Sequence, residues 1–273
     1  MDEVLQKPAE NYDPRGRLDP AGFANQVRFQ MYPPPADLAP FIEHFWIIEW
    51  DDKVDPYHSD ELMHRPYVDV FFSLPESGIQ GTFRGKRTYV ADGVGRIIGI
   101  RFRPGAFHAI WNGALADLQD RVVELAHVFP EADGSYIEHL LSLDNASAIA
   151  MLQNLIRSKR PQQDANIDLI NEIILAVETN EDLQTVAAVG HAFARSDRWL
   201  QQLFQDYVGI GLKWQLQRYK LLAAAKLIRE TDQPIWSSIA YDFGYSSQQH
   251  FNTHFKKVVG KTPLQYKRDL TST

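Results

Sequence analysis

A pattern of polar and apolar residues occurs twice in the last third of the chain, and it restricts the fold more than any other feature. The first copy begins at Ser196 and ends at Gly209. Its apolar side chains recur at helical spacing, at Leu200, Leu203, Phe204 and Tyr207. Because serine is a favoured N-cap residue, this segment predicts an amphipathic helix with one face in a core.

The second copy lies 51 residues further along the chain. Ser247 replaces Ser196, and Gly260 replaces Gly209. The apolar positions are kept as Phe251, Phe255 and Val258. A shorter apolar helix is predicted before each copy. A helix, a tight turn and a capped second helix make a helix-turn-helix unit, so the sequence predicts two such units.

The outward faces of the two capped helices carry polar side chains. In the first helix these are Arg198, Gln201, Gln202 and Gln205. In the second they are Gln249, Asn252, Thr253 and Lys256. A guanidinium group donates twice to guanine, and a glutamine amide both donates and accepts at adenine, so both faces suit the base edges of the DNA major groove. We therefore call the two helices the first and second reader helices.

Residues 212–229, between the two units, contain no Gly or Pro and predict one continuous helix. At ~1.5 Å per residue this helix is roughly 27 Å long. Successive major grooves on one side of B-DNA are about 34 Å apart, so the helix would hold both readers in adjacent grooves, with bent DNA if the grooves do not line up. A single helix of this kind is more often an ordinary surface helix, but its repetition at fixed spacing favours DNA binding.

The charge distribution is consistent with this interpretation. The chain has a formal net charge of −7. From Glu181 onward there are 12 Lys and Arg against 8 Asp and Glu, and the preceding residues have 16 against 27. A mildly basic C-terminal part therefore follows an acidic N-terminal part, which permits DNA binding without demonstrating it.

The N-terminal half has a different pattern. Short β-branched or aromatic segments predict strands at residues 41–50, 68–74, 87–91 and 96–102. Helical patterns follow at residues 107–111, 134–141 and 145–156. The predicted fold class is α+β, with a mostly antiparallel β domain containing helices and then an all-α domain of two helix-turn-helix units joined by a linker helix. The predicted parts are an irregular N-terminal arm (1–30), a sensor or dimerisation domain (31–156), a linker (157–166) and a DNA-binding domain (167–270).

The end of the chain carries a recognisable motif around the second reader helix. Residues 246–257 read SSQQHFNTHFKK and are followed by Gly260, Pro263 and Tyr266. With Gly244 and Tyr245 before them, they resemble the signature end of the AraC/XylS family of transcription regulators. The likeness covers about residues 167–268 and includes the first unit. It implies a bacterial, cytoplasmic transcription factor that contacts double-stranded DNA and RNA polymerase.

The resemblance and the polar faces together give a set of predicted DNA contacts. The predicted base-contacting residues are Arg198, Gln201, Gln202, Gln205, Gln248, Gln249, His250, Asn252 and Thr253. The predicted phosphate-contacting residues are Ser196, Ser247, Lys213, Lys256, Lys257 and Lys261. Two positions depart from the family pattern. Thr253 stands where many relatives have a longer basic side chain, and Ala194 stands at a turn position where glycine is usual, which predicts strain there.

The N-terminal half resembles, more loosely, a partner domain found on some bacterial members of the family. The residues that carry this likeness are 32–34, followed by Leu38, Phe41 and Trp46, and later 99–105. Such domains usually sense a small molecule or mediate dimerisation, which implies an effector and a homodimer. Arg101 and Arg103 precede Pro104 and Gly105 on one face of a predicted strand, so they are the candidates for binding an anionic effector. Structural ion pairs are the alternative role.

Other functional classes find little support. The chain has no cysteine, which excludes thiol chemistry and zinc-thiolate sites. His250 and His254 have the spacing of a zinc-binding helix, but Phe251 occupies the general-base position, so no metal site is predicted. No cofactor, catalytic residue or membrane span is predicted either. The alternatives left open are an enzyme with a helix-turn-helix targeting module and an interaction protein that has lost DNA binding.

Overall fold

The chain forms an antiparallel β half followed by a helical half in the computed structural model, which describes residues 16, 18, 20–51, 57–62, 65–180 and 182–271. The strands are β1 (Arg28–Tyr32), β2 (Ile42–Trp50), β3 (Tyr57–Leu62), β4 (Asp69–Phe72), β5 (Gly78–Gln80), β6 (Lys86–Ala91), β7 (Gly95–Phe102) and β8 (Val122–Val123). The helices are α1 (Pro20–Gln26), α2 (Gly134–Ser142), α3 (Asn145–Ser158), α4 (Ala165–Thr179), α5 (Val186–Ala192), α6 (Asp197–Val208), α7 (Leu212–Glu230), α8 (Trp236–Asp242), α9 (Gln248–Val259) and α10 (Pro263–Thr271).

The β half contains a six-stranded sheet and a two-stranded sheet. The strand order in the larger sheet is β1-β2-β7-β4-β5-β8, and every pair is antiparallel. Strands β3 and β6 form the smaller sheet. Because side chains alternate between the faces of a strand, the larger sheet has two different faces. Phe45, Ile47, Ile98 and Ile100 are fully buried on one of them, and Trp46, Ile48, Ile97 and Arg101 line a cavity on the other.

Helices α2 and α3 cover the buried face of the larger sheet. Asp133 and Asp144 are their N-caps. The Asp133 carboxylate accepts from one backbone N–H group in the first turn, and the Asp144 carboxylate accepts from two. Leu140 of α2 and Leu152 of α3 are in the same hydrophobic core as the inward-facing residues of the sheet. The β half is therefore two-layered on this side, with the sheet against helices.

The predicted fold class is confirmed, but the sequence patterns missed several strands. No clear sequence pattern predicts strands β1, β3, β5 and β8. Strand β3 has the polar sequence YHSDEL, and β5 is only three residues long. Both are held by pairing with distant segments, β3 with β6 and β5 with β4 and β8. Strands of this kind depend on their neighbours more than on their own composition.

The predicted irregular arm at residues 1–30 needs correction in its second half. Residues 1–15, 17 and 19 lie outside the described residues. Residues 20–26 form helix α1, and residues 28–30 belong to β1. Tertiary packing explains the difference, because Phe23 is buried and its ring lies edge-on to Phe29 at 5.9 Å between centroids. Gly16 and Leu18 also exchange backbone hydrogen bonds with β3.

The helical half has two hydrophobic cores that share α7. The first core contains buried residues of α4, α5 and α6 and the N-terminal part of α7, including Leu212 and Leu216. The second contains Leu221, Ala224 and Ile228 of α7 with residues of α8, α9 and α10. Each core belongs to one helix-turn-helix unit, and α7 is the linker helix between them. Residues 159–164 separate α3 from α4. The boundaries predicted for the domains and the linker stay a prediction.

The β half also packs directly against the helical half. Leu18 and Leu62 are buried in the second core of the helical half, and the Tyr266 hydroxyl donates to the Leu18 carbonyl oxygen at 3.2 Å. A second contact involves Tyr67 and Phe83, which form a buried cluster with Trp214 of α7. His108 of the β half also stacks on Tyr207 of α6. The two halves are thus in contact along α7 and at both helix-turn-helix units.

Candidate nucleic-acid interface

The first reader helix is α6. Its N-cap is Ser196, whose hydroxyl oxygen accepts from the Trp199 N–H at 3.2 Å. Its C-cap is Gly209, with a φ of 76° in the left-handed region. The apolar face is buried at Leu200, Leu203, Phe204 and Val208. The cap and the apolar spacing thus place a helix here, with its polar face left outside the first core.

The second reader helix, α9, repeats this construction. Ser247 is the N-cap and accepts from the His250 N–H at 3.1 Å. Gly260 ends the helix with a φ of 86°. The buried residues are Phe251, Phe255 and Val259. Both reader helices have 12 residues, so the two copies match in length as well as in pattern.

The predicted base-contacting side chains all reach the surface. Gln201 and Asn252 are half-buried, and the exposed ones are Arg198, Gln202, Gln205, Gln248, Gln249, His250 and Thr253. Some are engaged locally, such as Gln202, which donates to Asp206 at 2.8 Å, and Thr253, whose hydroxyl donates to the Gln249 carbonyl oxygen at 2.9 Å. Within the described part of the chain, the side chains of Arg198, Gln248 and Gln249 have no hydrogen-bond partner, which leaves their forked groups available for a ligand.

The turns before the reader helices have the same backbone shape but different residues. Ala194 has a φ of 51°, and Gly244 has a φ of 73°. In each turn, the backbone N–H of the following residue donates to a carbonyl oxygen of the preceding helix. Arg195 donates to Gly190 and Tyr245 donates to Ala240, both at 2.9 Å. A side chain in the left-handed region costs conformational energy, so the Ala194 turn is strained, as the sequence predicted.

Helix α7 connects the units without interruption. It spans 19 residues, which is about 28 Å at ~1.5 Å per residue. Because α7 contributes buried residues to both cores, it fixes one unit relative to the other.

The predicted phosphate-contacting residues fall into three groups. The hydroxyl oxygens of Ser196 and Ser247 act as helix N-caps. The exposed lysines are Lys213, Lys256 and Lys257. Lys261 is half-buried and forms an ion pair with Asp269. Of the predicted lysines, Lys261 is therefore the one that must exchange a protein partner for a phosphate.

Sequence reasoning missed several side chains near the reader helices. Arg195 lies over the ring of Trp199, with 4.9 Å from its guanidinium carbon to the ring centroid, and both residues are exposed beside Arg198. Tyr241 at the end of α8 is 82 % exposed. An aromatic residue close in sequence to an arginine is the signal that would have identified the contact between Arg195 and Trp199.

One linker-helix residue is unusual. Arg218 is buried, and its Nη2 donates to the Arg84 carbonyl oxygen. Its Nε and Nη1 have no hydrogen-bond partner in the described chain. Burial lowers the pKa of Arg218 to about 10, although the charge of Asp120 acts in the opposite direction. This guanidinium therefore lies at the contact between the halves without a carboxylate bound to it.

The predicted effector residues are differently placed. Arg101 forms a two-bonded ion pair with Asp69, at 2.9 and 2.7 Å, and its guanidinium stacks over the Tyr67 ring. Arg101 lines the cavity between the two sheets, whereas Arg103 follows the end of β7 and is not among the lining residues. The two arginines are thus not brought together at one pocket.

Two parts of the chain match known family models. Residues 30–124 match a domain of unknown function, DUF6597. Residues 189–269 match a helix-turn-helix domain, and this range contains both reader helices. The chain is also 32% identical over 108 residues to the probable transcription factor PqrA of Proteus vulgaris, with 38% of this chain and 87% of PqrA aligned. The chain belongs to the AraC/XylS family.

Other AraC/XylS relatives align in the same way. The regulatory protein SoxS of Escherichia coli strain K12 is 30% identical over 103 residues, which are 37% of this chain and 95% of SoxS. The transcriptional activator RhaS of Enterobacter sp. strain 638 is 26% identical over 171 residues, and the alignment covers 61% of this chain and 60% of RhaS. This chain is accordingly a DNA-binding protein of a family of transcription regulators.

Solved structures give weaker likenesses. ToxT from Vibrio cholerae O395 aligns over 91% of this chain and 100% of its own, with 12% identity and a TM-score of 0.37. The C-terminal domain of AraT from Geobacillus stearothermophilus aligns over 37% of this chain and 84% of its own, with 27% identity and a TM-score of 0.33. Both scores are too low to establish a shared overall arrangement. Among the described residues, no helix is long and apolar enough to cross a bilayer.

Proposed function

We propose that this AraC/XylS protein regulates transcription by reading two successive major-groove segments of one DNA site. The observation that carries the proposal is the matched pair α6 and α9, each with a capped N-terminus, a buried apolar face and an exposed polar face. Arg198, Gln248 and Gln249 are free to hydrogen-bond with base edges, for which their forked groups are suited. The other predicted base contacts would complete the two faces.

The linker helix supports a single bipartite site. Its length of about 28 Å from 19 residues is close to the ~34 Å that separates grooves on one side of B-DNA. A modest DNA bend would take up the difference. Lys213, at the start of α7, and Lys256 and Lys257, in α9, would neutralise phosphates beside the bases that are read.

A protection experiment tests the bipartite site. Genomic DNA fragments bound by the full-length protein are selected, and the bound duplex is probed with dimethyl sulfate and hydroxyl radicals. We expect two protected major-groove segments with centres about one helical turn apart. Protection of a single segment, or of segments on opposite sides of the duplex, contradicts the proposal.

Variants assign each segment to one reader helix. The pair Gln248→Ala with Gln249→Ala should remove protection of one segment, and Arg198→Ala with Gln202→Ala should weaken the other. Gln217→Ala is the matched control, because Gln217 is an exposed glutamine on α7 rather than on a reader helix. Loss of both segments in either double variant would mean that the helices do not act on separate segments.

The N-terminal half is proposed to modulate DNA binding, because it is connected to both units. His108 of the β half stacks on the Tyr207 ring of α6 at 4.2 Å between centroids, and the Leu18 carbonyl oxygen accepts from Tyr266 of α10 in the second unit. Arg65 of the β half pairs with Glu178 of α4, which accepts from Tyr219 of α7 at 2.8 Å. An effector that shifts the β half would therefore act on α6 and α7 directly. Homodimer formation and contact with RNA polymerase are further parts of the proposal that rest on the family resemblance.

A further inference from the structure

A cavity of about 500 Å³ lies between the two sheets of the β half. Its floor is the face of the six-stranded sheet that does not carry the helices, and its roof is the β3–β6 pair. Phe23 of α1 and Val27, which follows this helix, contribute to one side. Cavities of roughly 300–1,000 Å³ with apolar walls and a few polar groups are typical of small-molecule sites.

Strand register places the polar groups of the floor in one row. His44 of β2 pairs with Arg101 of β7, Arg101 with Asp69 of β4, and Asp69 with Gln80 of β5. Residues paired across a sheet point to the same face, so these four side chains line the cavity side by side. The next row along the strands is apolar, with Trp46 opposite Gly99 and Gly99 opposite Phe71. The cavity thus has a polar end and an aromatic part.

The missing side chain at Gly99 shapes the aromatic part. A Cβ atom at this position would lie 2.2 Å from the Trp46 indole, so the indole lies directly over the glycine backbone. The Trp46 indole thereby covers Gly99, and Phe71 lies on the other side of this glycine. Ile48 and Ile97, which are paired in the following row, continue the apolar wall. A flat ring system would fit against these surfaces.

The charges at the polar end already have partners within the wall. Arg101 and Asp69 neutralise each other in their two-bonded pair. Glu61 accepts from the Tyr67 hydroxyl at 2.8 Å and also interacts with the charge of Arg101. Arg87 donates to Gln80 at 2.7 Å and lies opposite Glu61 in the β3–β6 pair. Glu43, a further acidic group of the wall, pairs with Arg65 at 3.2 Å. A ligand cation would have to compete with Arg65 for Glu43, and a ligand anion with Asp69 for Arg101, so either charge would leave water for a group that is already paired, which is costly.

Polar atoms without a partner remain beside this row. The Trp46 indole nitrogen is buried without a hydrogen bond of ordinary geometry in the described chain, although it contributes weakly to stabilising the Asp69 carboxylate. Glu43 Oε2 is likewise buried and unbonded in the described chain. The His44 imidazole is neutral, since burial and the charge of Arg101 lower its pKa to about 3. Neutral imidazole offers one donor and one acceptor.

We propose that this cavity binds an uncharged, flat aromatic molecule whose hydroxyl or amide group hydrogen-bonds with His44 and Trp46. The proposal names the ligand class of the effector domain and so rests on the proposed function. It replaces the anionic effector expected at Arg101 and Arg103, because Arg101 is committed to Asp69 and Arg103 is not in the cavity wall.

Binding of three probes with one ring system tests the ligand class. Full-length protein is titrated near neutral pH by calorimetry, without DNA, with 2-naphthol, 2-naphthoate and 2-naphthylmethylammonium. The Kd for 2-naphthol is expected to be at least about tenfold below those of the two charged probes, which corresponds to about 1.4 kcal/mol. Equal or tighter binding of a charged probe, or no saturable binding of any probe, overturns the proposal.

Three variants locate the bound probe. His44→Leu should weaken 2-naphthol binding about tenfold, and Ile97→Trp should abolish it by filling the cavity. Val94→Trp is the control, since Val94 is 77% exposed outside the cavity wall. If Ile97→Trp does not fold, His44→Leu and the probe ranking decide. Unchanged binding in His44→Leu places the probe elsewhere and overturns the proposal. DNA binding is measured separately, so a failure to bind DNA leaves the ligand result interpretable.

Discussion

The guanidinium of Arg65 donates two hydrogen bonds to the carboxylate of Glu178, which joins the segment before β4 to helix α4. The same guanidinium donates to Glu43 Oε1 at 3.2 Å, and Glu43 is in the cavity wall. The Tyr219 hydroxyl of α7 donates to the same Glu178 carboxylate. A continuous polar path therefore leads from the cavity to the linker helix between the reader helices.

Removal of Arg65 should destabilise the protein strongly. The Glu178 side chain is only 8% exposed, so Arg65→Gln leaves a buried carboxylate without its cation and should cost about 3 kcal/mol of unfolding free energy in urea titrations. Arg28→Gln should change stability by less than about 1 kcal/mol, because Arg28 is 72% exposed in its pair with Glu49. The double variant with Glu178→Gln should be more stable than Arg65→Gln alone. Additive losses would show that the two side chains do not interact.

Arg218 should have the opposite effect on stability. Among the described residues, its guanidinium is buried against Trp214 with one hydrogen bond, to a carbonyl oxygen, and without a bound carboxylate. Arg218→Met removes this desolvated charge and should raise the free energy of unfolding by about 1–2 kcal/mol. Arg218→Lys keeps the charge and should give no gain. Lys226→Met, at an exposed position of the same helix, serves as the reference, and a gain there equal to that of Arg218→Met would refute the burial argument.

The helical half could be predicted from sequence because its determinants are local. Ser196 and Ser247 act as N-caps of the two reader helices. The apolar residues that begin at Leu200 in the first helix recur at helical spacing from Phe251 in the second, so each reader helix is specified within a dozen residues. Strands β3 and β5 depend instead on partners far away in the chain, and their own residues are polar or few. Local composition contains too little information about such pairings.

The cavity could not be predicted for a related reason. Its polar row takes His44, Asp69, Gln80 and Arg101 from four different strands, and only the register of the sheet makes them neighbours. Arg101 was recognised as a candidate, but its partner Asp69 is 32 residues away in sequence. The ion pair that neutralises Arg101 therefore follows from the register of β4 and β7 rather than from the local sequence.

The half-buried imidazole of His44 should make the protein sensitive to acid. Burial, with the charge of Arg101, lowers its pKa from 6.5 to about 3 in the native state. Between these values the unfolded chain binds a proton that the native chain does not, so stability is present above pH 6.5 and falls by about 1.4 kcal/mol per unit as the pH decreases toward 3. His44→Gln should lose this part of the slope in urea titrations at pH 6.5, 5.5 and 4.5. His139→Gln, at an exposed position, should retain it, and identical slopes in wild type and His44→Gln would contradict the assignment.

The two turns permit a matched test of backbone strain. Ala194→Gly should stabilise the protein by about 0.5–1 kcal/mol, because alanine is disfavoured at a φ of 51°. Gly244→Ala should cost about 1–2 kcal/mol without a steric clash, since its Cβ would meet only Lys220 Nζ at 3.7 Å. Ala223→Gly in the exposed middle of α7 should cost about 1 kcal/mol. Thermal and urea unfolding measure all three, and a loss of stability in Ala194→Gly would show that the turn is relaxed.

DNA affinity should separate base contacts from phosphate contacts. Arg198→Ala and Gln249→Ala should each cost about 1–3 kcal/mol at the selected site and relax the preference at one base pair, because their exposed forked groups would contact base edges. Lys256→Ala and Lys257→Ala should weaken binding to all duplexes alike and reduce the slope of log K against log salt by about one unit each. Gln217→Ala, on the linker helix, should leave both the affinity and the slope unchanged. Uniform losses on every duplex from all four reader-helix variants would mean that α6 and α9 contact only the DNA backbone, and the sequence preference would then have to arise from DNA shape.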